Sequence, residues 1–242
     1  MESNISPDEI KYLREASQLL LLPTSTWATG TVLFHRYRKT QSKQLDPQIA
    51  MMVCMYLATK ITEEPRKQRD IVNVGCLLAN PTTAKSRVLQ INSPTFNSLR
   101  YTITQSELFI MRALGFDVNV ELPHSWIVTI LHGMAWWPSN GDPPEDTEAV
   151  DVRLKRIARV AWHLTNDAVV AGLVDQFSAR SIAAACIVSA LDATGETLPA
   201  KSLDAWANMW AKTTGSRVTN IRQVVEQHSS SNEWKKDTLL TM

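Results

Sequence analysis

The sequence has few cysteines, no long apolar run and almost no net charge, and each shortage excludes a class of protein. Three cysteines, Cys54, Cys76 and Cys186, occur in 242 residues, and their spacing fits neither a disulfide framework nor a metal site. We expect buried free thiols in a reducing compartment. The longest purely aliphatic run, residues 19–22, is too short to cross a bilayer, and residues 1–10 contain no apolar signal region. A soluble intracellular protein is therefore expected.

The charge balance gives no support for a long nucleic-acid or membrane-surface interface. The chain has 25 Lys and Arg residues against 24 Asp and Glu residues, a formal net charge of +1. A protein that tracks phosphates carries a basic excess or a basic stripe, and the sequence shows no such stripe. It also contains no Gly-rich phosphate loop, nucleophile motif or metal cluster, so no catalytic site, cofactor or metal is predicted.

Helical periodicity and helix end signals recur along the chain, and no segment has the alternation of a strand. The chain is therefore predicted to be all-α. The predicted helices cover residues 7–22, 26–40, 47–60, 69–78, 99–114, 125–137, 152–170, 178–194, 201–213 and 217–228.

The most informative stretch is residues 47–74. Asp46 and Pro47 form a helix start, because aspartate caps the first free N–H groups and proline suits the first helical position. The residues that follow are nearly all apolar or small up to Ala58, which predicts a central position in a helical bundle. A charged turn comes next, in which Pro65 prevents the helix from continuing.

Two charged side chains at helix positions are candidates for a site. Lys60, in the last turn of the central helix, could cap the free carbonyl groups there. Glu107 lies among apolar residues, where a carboxylate needs a partner. It could close a capping box with Thr104, but Leu99 and Ile103 indicate that the helix begins further upstream. That position favours a buried ion pair for Glu107.

The stretch from Leu57 to Val74, LATKITEEPRKQRDIVNV, resembles the signature of the cyclin box. In that signature leucine, alanine and lysine precede a Glu-Glu-x-Pro turn and a helix that opens with a basic residue, Asp and Ile. The resemblance extends over nearly the whole chain and is strongest to transcription-associated cyclins of the L type, with the K, T and Q types near. The further matching pieces are residues 28–30, 34–37, 107, 114–118, 122–124, 161–162, 166–167 and 182–184.

The resemblance implies an all-α fold of two tandem cyclin-box repeats, each with five helices. The expected divisions are an N-terminal helix at residues 1–22, a first, kinase-binding cyclin box at 23–120, a second cyclin box at 121–228 with a mobile insertion near 138–149, and a loose C-terminal tail at 229–242.

The resemblance also implies a function. The chain is expected to bind and activate a cyclin-dependent serine/threonine kinase of the transcription and RNA-processing class, such as an RNA polymerase II tail kinase. It would be the regulatory subunit of a nuclear heterodimer and not an enzyme, with no cofactor and no direct nucleic-acid or membrane contact.

Three residues are carried over from the family as kinase contacts. The lysine at the position of Lys60 and the glutamate at the position of Glu107 form a pair that touches the kinase backbone near its mobile C-helix. Glu63 matches the second glutamate of the signature turn. Thr62 stands where the family has the first glutamate, so that contact is not carried over.

A second interpretation stays open: a cyclin-fold nucleic-acid-binding or scaffold factor of the transcription machinery with no kinase partner. The near-zero net charge argues against nucleic-acid binding. Salt dependence separates the two interpretations, because DNA binding weakens steeply with salt whereas a large interface with an apolar core does not.

Overall fold

The computed structural model describes residues 5–40, 45–79, 89–90, 93–135 and 147–230. Within these ranges the chain forms ten α-helices and one 3-10 helix, with no strand, which confirms the all-α prediction. The α-helices are α1 (Pro7–Leu19), α2 (Thr24–Lys39), α3 (Pro47–Ile61), α4 (Gln68–Ala79), α5 (Pro94–Ala113), α6 (Pro123–Ala135), α7 (Thr147–Val170), α8 (Ala179–Thr194), α9 (Leu203–Ala211) and α10 (Gly215–Ser230), and the 3-10 helix is Leu173–Asp175.

Three helices begin with the same two-residue signal, a polar cap followed by proline. Asp46 caps α3 as predicted, and Ser6 caps α1, which begins at the predicted residue 7; Glu9 completes a capping box with Ser6. Ser93 caps α5 in the same way by accepting a hydrogen bond from the Phe96 N–H. Helix α5 therefore starts five residues before the predicted position, at Pro94 instead of residue 99. The capping box considered for Glu107 does not exist, because that residue lies in the second half of α5.

The chain divides into two compact units, Met1–Val120 and Glu121–Met242. Helices α1 to α5 belong to the first unit and α6 to α10 to the second. Helix α1, which the sequence set apart as an N-terminal helix, packs against α2, α3 and α4 of its own unit. Most of the insertion predicted near 138–149 and most of the tail predicted at 229–242 lie outside the described residues. Residues 147–149 belong to α7, and residues 229–230 belong to α10.

The first unit is built around α3, as its composition predicts. This helix packs against α1, α2, α4 and α5, and its buried face includes Val53, Cys54 and Ala58, each of which is 0% exposed. Helix α2 approaches α3 closely at Gly30, where an added Cβ would lie 2.5 Å from Sδ of Met55. Small residues on both helices thus permit the close packing that buries the centre of the unit.

The second unit repeats this design around α8. Residues 181–191 are buried without interruption, and α8 packs against α6, α7, α9 and α10. Trp206 of α9, only 2% exposed, is the bulkiest of the fully enclosed side chains in this core. A buried helix thus lies at the centre of each unit.

All three cysteines are free thiols. Cys54 and Cys186 are buried, and burial raises the pKa of the Cys54 thiol and raises the pKa of the Cys186 thiol to about 12. Both therefore stay protonated and behave as small apolar side chains of the two cores.

Candidate functional site

Lys60 and Glu107 form an ion pair between α3 and α5. Lys60 lies in the last turn of α3, and its ammonium group donates a hydrogen bond to Oε1 of Glu107. Nζ of Lys60 also lies 4.2 Å from the ring centroid of Tyr56, one turn earlier in α3. The carboxylate and the aromatic ring together hold the ammonium group in one position.

The pair is partly exposed, which corrects the prediction of a buried pair. The side chain of Lys60 is 45% exposed and that of Glu107 is 18% exposed. Because water screens the attraction, the pair stabilises the fold by no more than about 1 kcal/mol, and the larger penalty for breaking a dry pair does not apply. The pair is therefore accessible to a partner and is not needed to hold the unit together.

The end of α3 is closed without the Lys60 side chain. The N–H groups of Thr62, Glu63 and Glu64 donate to carbonyl groups of the last turn, at 2.9, 3.3 and 2.9 Å. Glu63 has a positive φ of 58°, in the left-handed region, and its side chain is exposed. The capping role considered for Lys60 is thus filled by the backbone.

Thr62 has an internal role that explains its departure from the family pattern. Its hydroxyl donates to the carbonyl oxygen of Ala58 at 2.8 Å. A second hydroxyl, that of Thr26 in α2, lies 2.7 Å away and donates to Thr62, whose own proton is already used. A glutamate at this position could not serve as donor to the Ala58 carbonyl, so Thr62 fastens α3 to α2 and is not available as an acidic contact.

Arg66 joins the turn after α3 to the turn between α1 and α2. Its guanidinium group donates to the carbonyl oxygens of Leu20 and Leu21 at 2.9 and 2.8 Å. Sequence reasoning missed this role, because nothing local to Arg66 indicates a carbonyl partner 45 residues away. The two turns consequently form one connected surface at the same end of the first unit, which we call the turn pair (residues 20–23 and 62–67).

Helix α5 also carries exposed apolar side chains. Tyr101 is 68% exposed and Leu108 is 43% exposed. They are seven residues apart and so share a face of the helix. The carboxamide of Gln68 at the start of α4 donates to the Thr104 hydroxyl at 3.0 Å and fixes α4 against the same stretch of α5. Helix α5 thus contributes one member of the ion pair and, separately, two exposed apolar side chains.

Comparison with known proteins identifies the family. No protein-family model matches the chain. Cyclin-L1 of Gallus gallus is 32% identical in an alignment over 196 residues that covers 77% of this chain and 34% of that protein. Cyclin-L2 of Mus musculus is 32% identical over 176 residues, 72% of this chain and 31% of that protein. The chain belongs to the cyclin family. It spans about a third of the length of these relatives.

Solved structures agree with the cyclin fold. A chain of the yeast RNA polymerase II CTD kinase CTDK-1 complex superposes with a TM-score of 0.68 at 18% identity, over 90% of this chain and 62% of that chain. The viral cyclin of herpesvirus saimiri superposes with a TM-score of 0.61 at 14% identity, over 94% of this chain and 86% of that chain. The protein therefore folds as two tandem cyclin-box repeats, as the resemblance implied.

The second repeat of this cyclin carries a basic helix face that sequence reasoning missed. Lys155, Arg156 and Arg159 are exposed on α7, and their spacing of three and four residues places them on one side of the helix. Arg153, three residues before Arg156, is paired with Glu196, whose carboxylate lies 3.6 Å away. These three cations form a local cluster on α7, and the expectation that the chain makes no direct nucleic-acid contact stays a prediction.

The described part of the cyclin gives two further results. No group of three or more His, Cys, Asp and Glu side chains in that part is arranged to hold a metal ion. None of its helices combines the length and the apolar character needed to span a membrane.

Proposed function

We propose that this cyclin is the regulatory subunit that binds and activates a cyclin-dependent serine/threonine kinase, as one member of a heterodimer. The observation that carries the proposal is the Lys60–Glu107 pair, which forms between α3 and α5 and leaves the Lys60 side chain 45% exposed. Family membership supplies the role, since the pair stands at the two positions through which cyclins touch their kinase.

The chemistry of the pair suits contact with a partner's backbone. The ammonium group has three protons, of which Glu107 takes one, so it can donate further hydrogen bonds to carbonyl groups. The Glu107 carboxylate has free lone pairs that accept from N–H groups. Because the Tyr56 ring and the carboxylate already order the ammonium, little side-chain entropy remains to be lost on binding.

Activation by this surface is a shift between kinase conformations. The cyclin contributes no catalytic atom; it binds the active arrangement of the kinase better than the inactive one. Contact with the kinase C-helix favours its inward position, in which the kinase's own Lys and Glu pair over the nucleotide phosphates. To move a kinase from 1% to 99% active, the cyclin must bind the active conformation about 10⁴-fold more tightly than the inactive one. A difference of this size requires a large interface. Glu63, Tyr101 and Leu108 extend the surface beyond the ion pair.

The kinase class we propose is that of transcription and RNA processing. The support is the similarity to Cyclin-L1 and Cyclin-L2 and the fold shared with a chain of the CTDK-1 complex, whose name includes RNA polymerase II CTD kinase. An RNA polymerase II tail peptide is therefore the first substrate to test. The complex is expected to work in the nucleus, without a cofactor, a membrane contact or a catalytic role for the cyclin itself.

The test compares the wild-type chain with a double variant, Lys60→Ala with Glu107→Ala. Both are tagged, expressed in the source cells and purified, and the bound kinases are identified and then prepared as pure proteins. The double variant is expected to bind the kinase at least about 2 kcal/mol more weakly, or about 30-fold, the threshold of an interface hot spot.

A matched control removes a comparable ion pair elsewhere. Arg153 and Glu196 of the second unit are 59% and 28% exposed, so Arg153→Ala with Glu196→Ala deletes a surface pair without touching α3 or α5. This control is expected to bind the kinase like wild type. If the folded double variant of Lys60 and Glu107 binds the kinase as tightly as wild type, the pair is not a kinase contact.

Direct nucleic-acid binding is a second candidate function, and the basic face of α7 favours it. Arg156→Glu with Arg159→Glu would reverse the charge of this face. If the face binds nucleic acid, wild type should hold a labelled 20-nucleotide RNA or DNA with an affinity that falls steeply between 50 and 200 mM salt, and the variant should not. If kinase activation is the function of the chain, neither protein should bind these probes and both should bind the kinase.

A further inference from the structure

Among the residues that the structure describes, four helices end with the same pair of backbone hydrogen bonds. In the first bond, the N–H of one residue donates to the carbonyl oxygen three residues before it. In the second, the N–H of the next residue donates to the carbonyl oxygen five residues before it. This arrangement is the Schellman motif. The residue that makes the first bond must adopt a left-handed backbone. These residues are Leu21 after α1, Glu63 after α3, Gly115 after α5 and Gly195 after α8.

Glycine is the residue that suits this position, and the chain uses it twice. Gly115 and Gly195 have φ of 61° and 73°, and an added Cβ at either would meet no atom within 4 Å. Glycine thus occupies two of these four positions. Leu21 and Glu63 adopt the same backbone, with φ of 50° and 58°, although the left-handed region is strained for a residue with a Cβ.

The side chains of Leu21 and Glu63 do not repay that strain within the chain. Leu21 is 83% exposed, the largest exposed fraction among the large apolar residues described as exposed, and Glu63 is also exposed. A leucine in solvent contributes almost no hydrophobic stabilisation. Leu21 therefore carries two unfavourable features at once, a strained backbone and an apolar side chain in water.

Both exceptions lie on the turn pair. Arg66 donates to the carbonyl oxygens of Leu20 and Leu21, and its guanidinium Nη1 lies 3.7 Å from the Glu64 carboxylate. Glu63 follows Lys60 by three residues in the same helix end. The backbone of Leu21 is thus fixed by a residue of the cyclin signature itself, and its exposed side chain belongs to the turn pair, one turn of which follows Lys60 directly in the chain.

We propose that Leu21 is a kinase contact of this cyclin, which enters an apolar pocket of the kinase while Glu63 faces a cation beside that pocket. The inference rests on the proposed function and extends its surface from α3 and α5 to the turn between α1 and α2. It explains why both positions keep a side chain where glycine would be less strained.

The test is Leu21→Gly in the full chain, titrated against the purified kinase that the wild-type chain recovers from its source cells. The substitution removes the side chain and the backbone strain together, so kinase affinity and thermal stability should respond differently. Affinity should fall at least about 10-fold, as expected for a leucine that becomes buried on binding. Tm should stay unchanged or rise by up to about 4 °C, since relief of strain competes with the greater freedom of glycine in the unfolded chain.

Two further variants complete the design. Lys212→Gly relieves a left-handed residue of the second unit, with φ of 49° and an exposed side chain, and should leave affinity unchanged. Leu21→Met keeps an apolar side chain and should bind within about threefold of wild type. An affinity of Leu21→Gly within twofold of wild type would overturn the inference. A clear fall in the Tm of this variant would also overturn it, because it would show that Leu21 stabilises the folded chain.

Failure of this inference is distinguishable from failure of the proposed function. If the Lys60 and Glu107 double variant loses the kinase while Leu21→Gly keeps it, the proposed function stands and the Leu21 contact is wrong. If the wild-type chain binds no kinase, both are wrong.

Discussion

Replacement of Arg66 by alanine should loosen the turn pair by a predictable amount. Arg66 makes two well-formed hydrogen bonds, to the carbonyl oxygens of Leu20 and Leu21 at 2.9 and 2.8 Å, and its two others are long, at 3.3 Å. Bonds to charged groups contribute about 1.5 to 3 kcal/mol each in buried settings. The Arg66 side chain is 26% exposed and the freed carbonyl groups can reach water, so we expect a total loss of about 2 kcal/mol.

The assay is thermal unfolding followed by far-ultraviolet circular dichroism. A loss of about 2 kcal/mol should lower Tm by roughly 4 to 8 °C for a chain of this size. Lys67→Ala is the matched control, because it removes an exposed cation from the neighbouring position and should shift Tm by no more than about 1 °C. Arg66→Lys should lose most of the same stability, since an ammonium group cannot reproduce the two-pronged geometry. A Tm for Arg66→Ala equal to that of Lys67→Ala would refute the connection between the two turns.

Three further predictions concern packing, pH and thiol reactivity. Gly30→Ala should destabilise the first unit by about 1 to 3 kcal/mol in urea unfolding, because its Cβ would lie 2.5 Å from Sδ of Met55; equal stability would mean that α2 can move away from α3. Burial lowers the pKa of His124 below 6.5, so the unfolded chain takes up the extra proton first and stability should fall as pH drops below about 6.5. His124→Gln should weaken this dependence of stability on pH, and an unchanged dependence would contradict the prediction. A thiol reagent should modify one cysteine of the folded chain, half-buried Cys76, and all three after unfolding; rapid reaction of a second thiol before unfolding would contradict the burial of the others.

Helix starts could be predicted from the sequence where their signals are local. Ser6 and Asp46 each precede a proline and both begin a helix as expected. Ser93 with Pro94 is the same signal, but the first turns of α5 are largely exposed, so apolar periodicity becomes visible only from Leu99 onward.

Helix ends were harder to predict, because the chain stops two helices with unexpected residues. Helix α1 ends at Leu19 and not at Leu22, since Leu21 takes the left-handed position that sequence rules reserve for glycine. Glu63 does the same after α3, whereas glycine, at Gly115 and Gly195, takes the left-handed position after α5 and α8, which end within one residue of the predicted positions 114 and 194.

The candidate site was predictable in its residues and not in its surroundings. The family resemblance identified Lys60 and Glu107 as partners, and the structure pairs them. Their exposure could not be predicted, because it depends on how α3 and α5 pack together. The hydrogen bonds of Arg66 to the α1–α2 turn had no sequence signal either, since they join residues 45 and 46 positions apart.

The most direct test of the central claim is the activity of the purified kinase on an RNA polymerase II tail peptide, measured with and without this chain. We predict that the wild-type chain raises the rate at least about 10-fold, by increasing the active fraction of the kinase. The Lys60→Ala, Glu107→Ala variant, at the same concentration and with wild-type helical content, should give much less activation. No increase with the wild-type chain, or an equal increase with the double variant, would contradict the account.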